Sequence, residues 1–493
     1  MLGIHFSTNT NEMEELNYAP KMVTIHKIIK RYSLITHTLA GRITVVKMFI
    51  LPTLVHILQV LPSPQERYTK QIKDCVKNFI WNNKRPKIRH NLLIQDYENG
   101  GLKMLDLDSF FMATKLTWIV RLQQTNAQNT WVKMLCQCLG TKYPLLLFQG
   151  SRKFLINHKN KLSNDFWKEV FNNWIKYRKS VSTLSEMEEL PNIVIWNSDL
   201  LTNENLRNKQ NYFIEKGLIF FKDLYNYQDG VFYDRDDIWT MFKIKMNFLE
   251  FLSILNPLSK SHKEVIIKGQ TTSNDRTKNL LSGIYKQEKV CSHIYKQILN
   301  TYTEKAQCKH KWVETLNKEI TELDWKRIFT LINSITQDVQ LRMFQFKIVH
   351  RILPTNSSLF MYNIRENPYC DDCPNTIETS VHLFKTCPKV SNLWNDLASY
   401  LYPQVDLFPY VNTENIMLGI YEHTKCLQNT IILLVKRYIF ICKSNKSNLN
   451  MKALLIFLNS HEQIEINSSN PQRKQYNVTK WATIDPLLTS KTE

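Results

Sequence analysis

A chain of 493 residues, 43% of them apolar, carries enough hydrophobic material for roughly two to four domains with buried cores, which excludes a disordered polymer. Only 11 glycines and 16 prolines stand against many Leu, Ile, Lys and Asn, which favours helices over a turn-rich all-β fold. The net charge of +20, from 64 Lys and Arg against 44 Asp and Glu, points to a polyanionic partner, most often nucleic acid. The fold class expected is mainly α.

The N-terminal stretch lacks the basic, apolar, small-residue order of a signal peptide, so the expectation is an intracellular protein, cytoplasmic or nuclear and not secreted, with reduced cysteines. The longest apolar run, Ile43 to Leu61, is interrupted by Lys47, Pro52, His56 and Gln59. It reads as a buried helix pair broken at Pro52, and no membrane partner is expected.

Between Lys21 and Arg89 there are fourteen Lys or Arg and only two acids, Glu66 and Asp74. Within this stretch Tyr68, Ile72, Cys75, Val76, Phe79 and Ile80 recur at helical spacing and define one apolar face. Lys70, Lys73 and Lys77 then occupy the other side. The basic loop Lys84-Arg85-Pro86-Lys87-Ile88-Arg89 comes next, kept from continuing the helix by Pro86. Such a groove would track RNA or DNA through its phosphates, with Lys70, Lys73, Lys77, Lys84, Arg85, Lys87 and Arg89 supplying affinity and little specificity. Asn99-Gly100-Gly101 breaks the chain again, and Asp106, Asp108 and Ser109 offer caps to a helix running through Phe110, Phe111, Leu116, Trp118 and Leu122.

In the middle region Trp167, Trp174 and Trp196 suggest a core, and Asp236-Asp237 starts a helix through Trp239 and Phe242. Gly269 to Lys278 is polar and aperiodic and reads as a linker. Trp325 and Phe329 resume helical spacing, and Leu341, Phe344, Ile348 and Ile352 form a further stripe decorated by Arg342, Lys347 and Arg351. His350 beside them reads as a surface or packing histidine. After Asn470 the chain is polar and expected to fray.

Cys370, Cys373, His382 and Cys387 fit the pattern C-x2-C-x8-H-x4-C. A Cys-x-x-Cys turn points two thiolates the same way, and the later His and Cys, one on a helical turn and the other just beyond it, close a tetrahedron. The expectation is one structural Zn2+ per chain, because four protein ligands leave no position for a catalytic water. Three thiolates and a neutral imidazole leave the site at a charge of about −1, which Lys385 and Lys389 are placed to soften. Tyr369-Cys370-Asp371-Asp372 also matches Y-x-D-D, a polymerase signature. Pro368 precedes it, cysteine ligands overlap or adjoin it and no apolar strand flanks it, so the aspartates are assigned to the knuckle turn. No P-loop, GxSxG or HExxH is present, and no enzymatic activity is expected.

The segments Gly41 to Pro64, Lys77 to Arg89 and Glu98 to Ile119 closely resemble the region after the palm in LINE-type, non-LTR retrotransposon reverse transcriptases, where it forms the thumb and its succeeding helices. Leu2 to Asn9 looks like the last part of the palm. Ile193 to Leu201, Gly217 to Phe232 and Asp338 to Asn356, leading into the zinc cluster, are similar to that family's C-terminal region. The resemblance implies four segments: 1–125, the end of the palm and a thumb-like basic helical module; 126–300, a helical connecting region; 301–405, a reverse-transcriptase-type zinc-binding domain; and 406–493, a C-terminal helix and frayed tail. It also implies that the catalytic fingers, palm and endonuclease of the family lie upstream of Met1. The function expected is a non-catalytic nucleic-acid-binding remnant with a structural zinc site. Two rivals stay open: an inert structural or interaction protein, and the tail of a longer active reverse transcriptase.

Overall fold

The computed structural model describes residues 3–35, 38–125, 129–181, 185–269, 289–302, 306–421, 425–468 and 470–489. The linker expected at Gly269 to Lys278 falls, beyond its first residue, outside the described residues. The architecture is helical as expected, with one two-stranded hairpin, β1 (Tyr225–Asn226) and β2 (Val231–Phe232), among the described residues. The principal helices are, in chain order, α1 (Thr10–Ser33), α2 (Leu39–Val45), α3 (Leu51–Val60), α4 (Glu66–Trp81), α5 (Leu107–Gln124), α6 (Asp165–Val181), α7 (Arg235–Phe242) and α8 (Val290–Leu299). They continue with α9 (Glu322–Ile335), α10 (Val339–Val349), α11 (Pro388–Leu401), α12 (Cys426–Asn445), α13 (Met451–Ile466) and α14 (Pro471–Trp481).

The chain forms two compact units, each assembled from three separate stretches. The first comprises Met1–Ile28, Lys47–Cys75 and Leu105–Thr303. Its α5 begins where Asp106 accepts the Ser109 N–H at 2.9 Å, so Asp106 is the cap among the candidates. α5 packs on α6 and α8, and Trp167, Phe171 and Trp174 fill the space between helices at 9%, 0% and 4% exposure. Lys115 of α5 is fully buried and donates to the carbonyls of Leu58, at 2.7 Å, and Leu61, closing the C-terminal end of α3. Burial holds its pKa down at about 8, against the opposing pull of Glu169. A second core in this unit is built on Trp196, stacked on Phe213 with ring centroids 4.3 Å apart. The cap of α7 is Asp234, in a reciprocal box with Asp237.

The second unit comprises Ile29–Val46, Val76–Met104 and Glu304–Glu493. α10 packs on α9 and α12, burying Trp325, Phe344 and Ile348 at 2%, 3% and 0% exposure. Lys436 of α12 lies in this core and donates to Gln345 Oε1 at 2.7 Å and Ile416 O at 2.5 Å. Gly100, at φ +82°, and Gly101 let the turn after residue 95 close tightly. A Cβ on Gly100 would stand 2.9 Å from Phe329 Cζ, and one on Gly101 would stand 2.1 Å from Gln95 O.

Four local expectations are corrected. The run Leu39–Val60 is not broken at Pro52. The proline occupies the first turn of α3, where its missing N–H costs little, and the π turn Val46–Ile50 just upstream widens the helix where the ring would meet the preceding carbonyls. By length and composition this run is apolar enough to cross a membrane, yet Ile43, Ile50, Leu54, Ile57 and Leu58 are at most 3% exposed, as in a core helix. α4 stops ahead of Pro86, at Asn82 and Asn83, whose φ values of 53° and 56° turn the chain left-handed while Asn83 N–H reaches Asn78 O at 2.8 Å. α10 ends at Val349 because Arg351 has φ 56°, leaving Ile352 outside the helix. Beyond Asn470 the chain is ordered into α14, whose Trp481 is fully buried. The apolar anchors there are too widely spaced among polar residues for the composition to reveal them.

Candidate metal centre

Tyr369 and Ile377 pair as an antiparallel bridge, with Cys370 N–H on Thr376 O at 2.9 Å and Glu378 N–H on Pro368 O at 2.9 Å. This short ribbon forces the chain to reverse through Cys370-Asp371-Asp372-Cys373, and the N–H groups of Asp372 and Cys373 face the Cys370 sulfur. The second half of the site comes from the π turn His382–Thr386, closed by Cys387 N–H on His382 O at 3.0 Å. Cys387 is also the N-cap residue of α11, with Pro388 in the first turn. The sequence pattern is thereby converted into a cluster whose four ligand atoms all lie within 4.8 Å of one another.

The residues fit a tetrahedral zinc ion. The sulfurs of Cys373 and Cys387 are 3.8 Å apart, the edge of a tetrahedron whose metal–sulfur bonds are about 2.3 Å. His382 is 5% exposed and its Nε2 is buried without a hydrogen-bond partner, a costly arrangement that a metal resolves. Its Nδ1 sits 3.4 Å from Thr386 Oγ1, which holds the ring in register. Burial, followed by the neighbouring Cys387 and Cys370 thiols, pushes the Cys373 thiol up to about 12. Left to themselves the Cys370 and Cys373 thiols hold their protons more tightly than usual, and a divalent cation at their centre reverses that preference.

The surrounding charges are committed to holding the turn. Asp371 pairs with Arg365 and Asp372 with Lys389. Lys389 is thus engaged by a carboxylate as well as by the field of the Cys387 and Cys373 sulfurs. Beneath them Glu378, 2% exposed, accepts the Asn356 N–H at 2.7 Å and pairs with Lys443 of α12. Asn356 Oδ1 accepts from Lys443 at 2.9 Å and Arg365 at 2.7 Å, and its Nδ2 donates to Tyr369 O at 2.7 Å. Sequence reasoning missed Asn356, Glu378 and Lys443; nothing in the local pattern marks them, since Lys443 reaches the site from a helix far along the chain.

The basic residues singled out from the sequence divide between the units. Lys70 is exposed, and Lys73 forms an ion pair with Asp108 at 2.7 Å, both in the first unit. Lys77, Lys84, Arg85, Lys87 and Arg89 are exposed in the second, where Lys84, Arg85 and Lys87 border one cavity. The apolar face of α4 is as expected: Tyr68, Ile72, Val76, Phe79 and Ile80 are buried and Cys75 half-buried.

A Cys3His cluster held by a short ribbon and a π turn in a helical setting defines a zinc-knuckle module. Residues 306–394 of the chain match the family described as zinc-binding in reverse transcriptase. The match contains all four ligands and ends at Trp394, a buried residue of α11 whose Nε1 donates to Phe384 O at 2.9 Å.

Proposed function

We propose that this chain is the nucleic-acid-holding C-terminal portion of a LINE-type reverse transcriptase, braced by one structural zinc ion and contributing no catalytic residue of its own. The observation that carries the reading is the closed four-ligand cluster lying inside the reverse-transcriptase-associated match. The segments Gly41 to Pro64, Lys77 to Arg89 and Glu98 to Ile119, which resemble the thumb of LINE-type elements, support the narrower assignment. A non-catalytic role draws support from Asp371 and Asp372, each bound to a cation, and from a ligand set with no open position. The +20 charge and the exposed loop Lys84 to Arg89 favour RNA or DNA, held through phosphates. Thiolate ligation favours a reducing, intracellular location.

Two measurements test this. Purified protein should contain one zinc per chain, and Cys373→Ser should lower that content; unchanged content overturns the metal reading. Binding to an oligonucleotide should weaken with salt at a log–log slope of roughly −4 to −5 if about six cations contact phosphates. Absent or salt-independent binding overturns the nucleic-acid reading.

A further inference from the structure

The second unit contains a cavity of about 570 Å³ that no local motif announces. Its walls come from four stretches distant in sequence: the start of α2 with the residue before it, the end of α4 with the loop after it, α10 with the turn beyond it, and α12. Six cations line it, namely Arg42, Lys84, Arg85, Lys87, Lys347 and Arg437, and no Asp or Glu does so among the described residues.

Lys73, Lys309 and Lys318 each meet a carboxylate, whereas Lys84, Arg85, Lys87, Lys347 and Arg437 form no ion pair among the described residues. Arg437 instead rests over the Phe344 ring, 5.4 Å from its centroid. Burial lowers the Lys347 pKa, and Lys87, Arg437 and Lys84 push it further in the same direction, so the field inside the cavity has one sign. An anion is the species that relieves it.

The uncharged part of the lining narrows the anion. Trp81, Phe346 and Phe440 are half-buried along the wall, Met343 and Phe344 are buried behind them, and Thr38 and Gln340 add neutral hydrogen-bonding groups. A free phosphate has no use for an aromatic wall. A base with an exposed π-face does, and a single strand presents one while a duplex keeps its bases stacked inside. The volume lies within the roughly 300 to 1,000 Å³ of small-ligand sites.

We infer that this cavity seats one nucleotide of a single-stranded nucleic acid, its phosphate on Lys347, Arg437, Lys84 and Lys87 and its base against Trp81 or Phe346. The inference rests on the nucleic-acid reading above and gives it a place and a strand preference.

The test uses the full-length, zinc-loaded chain and a fluorescent 12-mer carrying 5-iodouridine, single-stranded or annealed to its complement. Lys347→Gln with Arg437→Gln should weaken single-strand binding about tenfold or more and lower the salt slope by about 1.4, two phosphate contacts' worth. Lys84→Gln with Lys87→Gln, on the exposed loop, should do the same with zinc content unchanged, which guards against a folding defect in the first pair. Trp81→Leu should cost about fivefold or more through lost stacking. Photocross-links should map to the peptide containing Trp81 or Phe346. If the wild type binds but these variants match it, or cross-links fall only elsewhere, the seat is overturned while nucleic-acid binding stands. Duplex bound as tightly as single strand, or inorganic triphosphate competing as well as the oligonucleotide, also overturns it. If the wild type binds neither strand form, the nucleic-acid reading falls and takes the seat with it.

Discussion

His350 shows how much a single side chain can contribute without touching a ligand. It is 9% exposed, stacked at 14° against Phe329 and 4.2 Å from the Phe346 centroid, and burial lowers its pKa to about 4. In the unfolded chain it titrates near 6.5, so between the two values the unfolded state binds the extra proton. Stability is therefore lost as pH falls from about 6.5 towards about 4, by up to about 3 kcal/mol. Urea unfolding of wild type and His350→Phe at pH 7 and pH 5 checks this: the variant should lose about 2 kcal/mol less on acidification. Equal losses would remove His350 from the account. Lys443→Met makes a second residue-level test, because it strands the buried Glu378 carboxylate. It should cost about 3 to 5 kcal/mol, and Glu378→Gln in the same chain should recover part of that. The four metal ligands were legible because their spacing is local. The Asn356–Glu378–Lys443 support was not, because it is made by residues that only the fold brings together.

At the level of elements, the turn holding Gly100 and Gly101 brings the backbone closer to a glycine than at Gly419, the other crowded glycine described in the second unit. With Gln95 O only 2.1 Å from a Cβ on Gly101, Gly101→Ala requires the backbone to move, and more than about 2 kcal/mol should be lost. A thermal midpoint unchanged within a degree would contradict this. α4 was readable from periodicity, because one buried face at 3.6-residue spacing dominates it, whereas α5, buried on all sides from Ala113 to Thr117, was readable from its cap at Asp106. The end of α4 was less readable. Asn82 and Asn83 terminate α4 by adopting positive φ, a choice that asparagine tolerates but does not announce, whereas Pro86 was the more conspicuous breaker. The tail after Asn470 escaped for a different reason: Trp481, Ile484 and Leu488 supply its burial, three apolar anchors in a polar stretch.

For the whole molecule, the metal site belongs to one unit only. Stripping zinc with a strong chelator should loosen the second unit, exposing α11 and the knuckle to protease, while a fragment containing α5, α6 and α8 stays protected. Simultaneous loss of both, or protection of both, would contradict a zinc role confined to the second. The one-signed cavity is the clearest case of what sequence alone conceals. The basic loop after α4 was visible as a charge run, and Lys347 as decoration on a helix. That these meet Arg42 and Arg437 around one space results from pairings across hundreds of residues, which no window of sequence contains.

The same long-range assembly has a consequence for synthesis on the ribosome. Ile29–Val46 and Val76–Met104 leave the exit tunnel early, but the remaining stretch of their unit begins at Glu304. At about 5 to 20 residues per second, roughly 10 to 40 s separate the translation of Met104 from that of Glu304. During that interval Phe79, Ile80 and Leu93, all buried in the finished unit, wait without the cover that the later stretch supplies. Nascent chains of this protein should therefore recruit holding chaperones well before the knuckle emerges to take up its metal.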